Sequence, residues 1–123
     1  MAREFSRSRR VGEQIQRELA ELVQRELKDP RLGMITISAV EVSRDMGVAK
    51  IFFTVFGEGH DVAQTLEGLN SASGFLRREL AHRMRLRVVP ELRFQYDHSI
   101  EKGSQLSALI NKAVAEDKDN SEN

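Results

Sequence analysis

The chain has 123 residues, no cysteine, and 19 basic residues balanced by 19 acidic ones. This length predicts one domain with its own hydrophobic core, and the lack of cysteine excludes a disulfide framework, a thiolate nucleophile and a sulfur-ligated metal. The first six residues include charged side chains and lack the apolar run that a secretory signal requires. The longest apolar run, residues 51–56, is too short to span a bilayer. We therefore expect a soluble, cytoplasmic protein.

The two signs of charge are segregated along the chain although they cancel overall. Residues 1–10 hold four Arg against one Glu, and residues 76–93 hold six Arg against two Glu, so the remainder is net acidic. Arginine binds phosphate bidentately, whereas lysine acts as a point charge. The clustering favours a phosphate-binding surface over a merely solvated one. Single cations such as Lys50 and Arg25 we interpret as solvated.

The first predicted element is a long amphipathic helix over residues 8–28. Its apolar positions recur every three or four residues, Ser6 or Ser8 is a candidate cap, and Pro30 should prevent its extension. The apolar positions are Val11, Ile15, Leu19, Leu22, Val23 and Leu27.

Two strands follow, over residues 34–43 and 48–56. Apolar and polar residues alternate in the first strand, and the alternation slips at Val40, which indicates a β-bulge. Residues 44–47 between the strands are typical of a hairpin loop, and we expect Gly47 to occupy its left-handed position.

Residues 60–85 are predicted to form one helix, capped by Asp61 after a turn at residues 57–59 and interrupted at Ala72-Ser73-Gly74. Small polar residues at the interruption compete for backbone hydrogen bonds and favour caps, and Gly74 permits unusual backbone angles. We expect a kink that creates a second helix N-terminus, where a phosphate could bind. Apolar positions on both sides should face one core: Val62, Leu66, Leu69, Ala72, Leu76, Leu80 and Met84.

A third strand is predicted after Pro90, with Leu92, Phe94 and Tyr96 on one face. Ser99 should cap a C-terminal helix, and residues 116–123 are predicted to form a disordered tail. The order predicts an α+β two-layer domain over residues 1–115, with helices on one face of a small, mostly antiparallel sheet. The last helix carries Leu106, Leu109, Ile110 and Ala113.

This element order resembles the type II KH-like fold (α-β-β-α-kink-α-β plus a C-terminal helix), and more closely the ribosome-binding factor A family. Ala72-Ser73-Gly74 matches the Ala-x-Gly interhelical kink of that family. The flanking residues 70–71 and 75–78, the run Arg7-Ser8-Arg9-Arg10-Val11 and the turn Asp29-Pro30-Arg31 also match. The similarity covers residues 3–113.

The resemblance implies a non-enzymatic ribosome biogenesis factor. Such a factor binds the immature small (30S) subunit and its 16S rRNA, assists late rRNA processing, supports growth in the cold and cooperates with assembly GTPases. No cofactor, metal or membrane is implied, and a monomer suffices. Because the chain lacks the Gly-x-x-Gly loop of ordinary KH domains, we expect contacts to RNA shape and phosphates rather than sequence-specific reading of single strands.

We interpret the kink and its neighbouring arginines as the candidate RNA site. Ser73 and Gly74 would present backbone amides to the RNA, and Arg77 and Arg78 would neutralise a nearby phosphate. The N-terminal arginines would form a separate arm that also contacts the RNA. The alternative for Ala72-Ser73-Gly74 is that small residues only allow close packing. The candidate RNA-binding residues are Arg7, Arg9, Arg10, Ser73, Gly74, Arg77, Arg78, Arg83, Arg85 and Arg87.

Two other functional classes remain as alternatives. One is a protein-interaction module in which the kinked helix and the C-terminal helix dock on a partner. The other is a small metal-dependent nuclease acting through Asp45, Asp97 and His98, although Asp97-His98-Ser99 is more typical of a strand end and a helix cap. Phe52, Phe53 and Phe56 could stack on bases, but aromatic residues on a strand usually belong to a core.

Overall fold

The computed structural model has the predicted order of helices and strands in an α+β fold. It describes residues 2–56, 61–99 and 109–111, with side chains from Arg7 onward. The elements are α1 (Ala2–Arg25), β1 (Met34–Val42), β2 (Val48–Phe56), α2 (Val62–Ser71), α3 (Ser73–Met84) and β3 (Glu91–Tyr96). The predicted turn at residues 57–59, most of the C-terminal helix and the tail lie outside the described residues.

Helix α1 packs its apolar face into the core, as predicted. Ile15, Leu19 and Leu22 are completely buried. The predicted caps are wrong, because the helix already begins at Ala2 and Ser8 lies buried inside it. The helix ends at Arg25 rather than at residue 28.

A compact turn at residues 29–32 follows α1. Asp29 Oδ1 accepts a hydrogen bond from the Arg31 backbone at 2.9 Å, and the Asp29 carbonyl accepts one from Leu32 N–H at 3.0 Å. The Arg31 guanidinium also donates to the Asp29 carboxylate, and this bond lowers the pKa of Asp29. The carboxylate therefore fixes the turn that directs the chain into β1.

Strands β1 and β2 pair antiparallel from Met34↔Phe56 to Val42↔Ala49. The register shifts between Ile37 and Ala39, which confirms the bulge and places its extra residue at Ser38, two residues before the position that the sequence indicates. Such a bulge turns Val40 and Val42 toward the same side as Ile35 and Ile37.

The turn between β1 and β2 corrects one expectation. Met46, not Gly47, is in the left-handed region, with φ of 63°. Asp45 Oδ1 stabilises the turn by accepting hydrogen bonds from Ser43 Oγ at 2.6 Å and Gly47 N–H at 2.9 Å. These two bonds lower the pKa of the Asp45 carboxyl, that from Ser43 contributing most.

Strand β3 lies beside β2 in parallel, so the sheet order is β1-β2-β3 with one antiparallel and one parallel pair. The expectation of a mostly antiparallel sheet is therefore wrong. A parallel pair needs a long crossover, and α2 and α3 supply it. Because of this crossover β3 begins beside the β1–β2 turn, where Glu91 N–H donates to the Gly47 carbonyl at 2.9 Å.

The core lies between the helices and one face of the sheet. Ile51 and Phe53 of β2 are fully buried and belong to one buried cluster with Leu69 of α2 and with Leu76 and Leu80 of α3. The apolar positions predicted on both sides of the kink thus share one core, although Val62 is 36% exposed.

The opposite face of the sheet is more open. Met34 and Phe56 are cross-strand neighbours at one end of β1 and β2. Their side chains are 71% and 77% exposed. Residues 109–111 are helical, with Leu109 and Ile110 exposed.

Candidate nucleic-acid interface

The predicted interruption of the helix is confirmed. Asp61 caps α2 by accepting a hydrogen bond from Gln64 N–H at 2.6 Å, and Ala72 separates α2 from α3 with φ −89° and ψ −1°. The Ala72 N–H is shared between the carbonyls of Gly68 and Leu69, both at 3.1 Å. The chain therefore leaves regular helical geometry for one residue and then resumes it.

The serines at the kink do not cap α3. Ser71 Oγ donates to the Glu67 carbonyl and Ser73 Oγ donates to the Asn70 carbonyl, both at 2.9 Å. These bonds run back to the preceding helical turn, a pattern known to bend helices. Helix α3 begins directly after Ala72 without a side-chain cap.

Gly74 has helical backbone angles and open space around it. Its φ is not positive, and a Cβ atom built on it meets no described atom within 4 Å. By contrast, a Cβ atom on Gly68 would lie 2.8 Å from Leu32 Cδ2, so a side chain there would require Leu32 to move. Neither backbone conformation nor internal packing accounts for Gly74, which lies on an exposed surface.

The paired arginines on α3 have different surroundings. The Arg77 guanidinium donates to the carbonyl of buried Val89 at 2.9 Å and so ties α3 to the segment before β3. Arg78 is exposed and has no hydrogen bond or ion pair to any residue in the described ranges. Of the two, Arg78 is the one available to an external phosphate.

Arg83 holds α3 against α1. Its guanidinium lies 3.2 Å from Glu18 Oε2 and 3.6 Å from Glu21 Oε2, and the side chain is only 30% exposed. The hydrogen bond with Glu18 is the main cause of the raised pKa of Arg83. Its charge is thus shared with two carboxylates.

Arg85 and Arg87 lie between α3 and β3. Arg85 terminates α3 in the left-handed region, with φ of 53°. Both side chains are exposed, and neither has an ion pair among the described residues. They continue the basic segment toward the start of β3.

The N-terminal arginines lie on regular α1 rather than on a separate arm. Arg9 makes an exposed ion pair with Glu13 at 3.7 Å. Arg7 and Arg10 are exposed and without a carboxylate partner in the part of the chain that the structure describes.

Arg7 and Arg87, which are far apart in sequence, line one groove of about 650 Å³. The other lining residues are Arg44, Asp45, Met46, Leu86 and Val88. Sequence reasoning did not assign Arg44 to the site. Its position in the hairpin loop was the available signal, because that loop lies at the end of the sheet where β3 begins.

The residues of the nuclease alternative do not come together. Asp45 precedes the start of β2 and Asp97 follows the end of β3, so six strand residues, about 20 Å, separate their ends of the sheet. His98 packs edge-on against Tyr96 with 4.9 Å between ring centroids. Within the described ranges, no group of three His, Asp or Glu side chains is placed to hold a metal ion.

Known proteins match this fold and sequence. A family profile described as Ribosome-binding factor A matches residues 7–110. The chain belongs to the ribosome-binding factor A family. It is 65% identical over 118 residues to ribosome-binding factor A of Thioalkalivibrio sulfidiphilus, covering 96% of this chain and 92% of that one.

Solved structures of the family share the fold. The crystal structure of ribosome-binding factor A from Thermus thermophilus is 33% identical, with a TM-score of 0.68 over 75% of this chain and 97% of that one. A homology model of the Thermus thermophilus factor, fitted into a cryo-EM map of a 30S–RbfA complex, is also 33% identical, with a TM-score of 0.59 over 71% and 91% of the two chains. No helix in the described ranges combines the length and apolarity that a membrane crossing requires.

Proposed function

We propose that this protein is a ribosome biogenesis factor that binds the immature small subunit through its 16S rRNA. The observation that carries the proposal is the match to a family one of whose members is fitted into a 30S complex. The exposed kink and the arginines without carboxylate partners are the features of this chain that suit phosphate contacts.

The RNA-contacting residues divide by their surroundings. We propose that Ser73, Gly74 and Arg78 approach the RNA backbone at the kink, since an RNA strand could come close where Gly74 has no side chain. The other exposed arginines, Arg7, Arg9, Arg10, Arg85 and Arg87, would neutralise neighbouring phosphates. Arg77 and Arg83, already bound to Val89 and to Glu18, would contribute less.

The mechanism that suits such a site is non-enzymatic. A binder without a nucleotide cofactor can change RNA only by preferring one conformation over another. We propose that it favours a mature-like fold late in 16S rRNA processing. Cold growth would need it most, because misfolded RNA helices persist longest there, and assembly GTPases would act on the same particle. We further propose that it acts as a cytoplasmic monomer without a cofactor.

Co-sedimentation with purified immature 30S subunits tests the proposal. Binding should weaken steeply with salt, and replacing Arg10 and Arg78 by Ala should lower the slope of log affinity against log salt by about one per lost phosphate contact. Arg25 and Arg93, each in an exposed ion pair, provide a control double variant with the same change of charge. A wild-type protein that stays in the supernatant, or equal slopes for both double variants, would favour the protein-interaction module instead.

A further inference from the structure

The topology brings three segments together at one end of the sheet. Helix α1 runs antiparallel to β1: Gly12 lies beside Val40, whereas Gln16 further along the helix donates to the Ile37 carbonyl at 3.2 Å. The N-terminal part of α1 therefore reaches the β1–β2 turn. The segment before β3 ends at the same turn, through the bond from Glu91 to Gly47.

The groove at this junction, here called the hairpin groove, is lined by Arg7, Arg44, Asp45, Met46, Leu86, Arg87 and Val88. Its three arginines come from three separate segments, Asp45 is the single carboxylate of the lining, and neither Arg7 nor Arg87 has an ion pair within the described residues. Asp45 Oδ1 accepts hydrogen bonds within its own turn, which leaves less of that carboxylate to neutralise the arginines. The groove therefore has a positive charge.

The hairpin groove also has an apolar part. Val88 is 74% exposed, and Leu86 and Met46 are half-buried beside it. Both non-glycine residues with positive φ in the described ranges flank this region: Met46 lines the groove, and Arg85 directly precedes Leu86. Guanidinium groups beside exposed aliphatic side chains suit a ligand that is anionic at one end and flat and apolar at the other.

We propose that the hairpin groove binds one nucleotide of single-stranded RNA, with its phosphate on Arg7 and Arg87 and its base against Leu86 and Val88. The proposal rests on the RNA-binding function proposed above and adds a second contact that is separate from the kink. The groove volume of about 650 Å³ lies within the usual range for small-molecule sites, about 300–1,000 Å³. Arg44 also lines the groove and adds to its positive potential.

The site can be located by titrating the full-length, ¹⁵N-labelled protein with a single-stranded pentauridylate. The amide signals of Met46, Leu86 and Val88 should shift. Signals that move only around Ser73–Arg78 would overturn the groove and leave the kink as the RNA contact.

Variants then test the two halves of the ligand by fluorescence anisotropy with labelled pentauridylate. Arg87→Ala should weaken binding about tenfold, because a charge-assisted hydrogen bond to phosphate is lost. Arg25→Ala, with the same change of charge in an exposed ion pair at the end of α1, should leave the affinity unchanged.

Val88→Ser tests the base contact and should weaken binding a few-fold without any change of charge. Unchanged affinity in Val88→Ser would overturn the base contact, and equally tight binding of a deca-glutamate peptide would overturn the nucleotide assignment.

Co-sedimentation of wild-type protein with 30S subunits separates this proposal from the proposed function. If the protein pellets with subunits but pentauridylate does not bind the groove, the inference fails and the proposed function stands. If pentauridylate binds the groove but subunits do not retain the protein, the proposed function fails and the nucleotide site stands.

Discussion

The Ser38 hydroxyl donates a hydrogen bond of 2.6 Å to Asp97 Oδ2 and so joins β1 to the residue that follows β3, across the intervening strand β2. Ser38 is the bulged residue of β1, and Asp97 continues the pairing of β3 by donating its N–H to the Phe53 carbonyl at 2.8 Å. Asp97 Oδ1 also accepts the Ser99 N–H at 2.9 Å. The bulge therefore serves to place a hydroxyl where it reaches the far strand.

The hydrogen bond between Ser38 and Asp97 should make the free energy of unfolding depend on pH in acidic solution. The hydrogen bond from Ser38, followed by those from Ser99, lowers the pKa of Asp97 from 3.8 to about 2. Because the folded-state pKa is lowered, the stabilisation is fully present above pH 3.8 and is lost as pH falls toward 2. Ser38→Ala should therefore lower the free energy of unfolding at about pH 5, and the difference from wild type should shrink between about pH 4 and pH 2.

Urea unfolding at a series of pH values measures that difference. Thr54→Ala, a change on the same open face of the sheet, is the control and should give a difference independent of pH in this range. A constant difference for Ser38→Ala would show that its hydroxyl does not stabilise the ionised Asp97.

Replacing Gly74 by Ala should leave stability unchanged or raise it by up to about 1 kcal/mol, because alanine favours helix and the added methyl group meets open space. Gly12→Ala is the contrasting variant: its Cβ would lie 3.0 Å from the Val40 carbonyl oxygen, so we expect a loss of about 1–3 kcal/mol. Urea unfolding of both variants gives the comparison. Weaker 30S binding by a fully stable Gly74→Ala protein would show that the missing side chain makes room for RNA.

The arginine pair on α3 should separate stability from binding. Arg77→Ala removes the hydrogen bond to the Val89 carbonyl and should cost about 1–2 kcal/mol in the free energy of unfolding. Arg78→Ala should change stability by less than about 0.5 kcal/mol and mainly weaken 30S binding. Equal effects of the two variants on both measurements would contradict the assignment of separate roles.

Arg83 should matter for the contact between α1 and α3. Arg83→Gln breaks the ion pairs with Glu18 and Glu21, so we expect a lower melting temperature in dilute buffer and a smaller difference from wild type in about 1 M NaCl. Arg25→Gln, which loses one exposed pair with Glu21, is the control and should change the melting temperature less. A melting-temperature difference for Arg83→Gln that does not depend on salt would point to lost packing instead.

Local patterns were sufficient to predict most of the fold. The spacing of Leu69, Leu76 and Leu80 indicated that both halves of the kinked helix face one core, and the broken alternation in β1 indicated a bulge near its true position. Asp61 was identified as a cap from its residue type and place. These features depend on neighbours within a few positions, which a sequence displays directly.

The incorrect predictions concern features that depend on contacts between residues distant in sequence, or on a side chain that binds backbone groups of a turn. The parallel pairing of β3 depends on the crossover, and Met46 takes the left-handed position because Asp45 uses its carboxylate to fix the turn around Gly47. Arg77 and Arg78 differ in their surroundings because Arg77 donates a hydrogen bond to the carbonyl of Val89, which lies twelve residues further along the chain. Arg44 was missed because its neighbours in the groove come from α1 and from the segment before β3.

Helix α1 also protects the free edge of β1. Gln16 donates to the carbonyls of Ile37 and Ser38, both at 3.2 Å, and Gly12 lets the helix backbone approach Val40 closely. An uncovered edge strand offers its backbone groups to a second chain and promotes aggregation. By occupying these carbonyls, the helix that carries the N-terminal arginines leaves fewer backbone acceptors on this edge for a second chain.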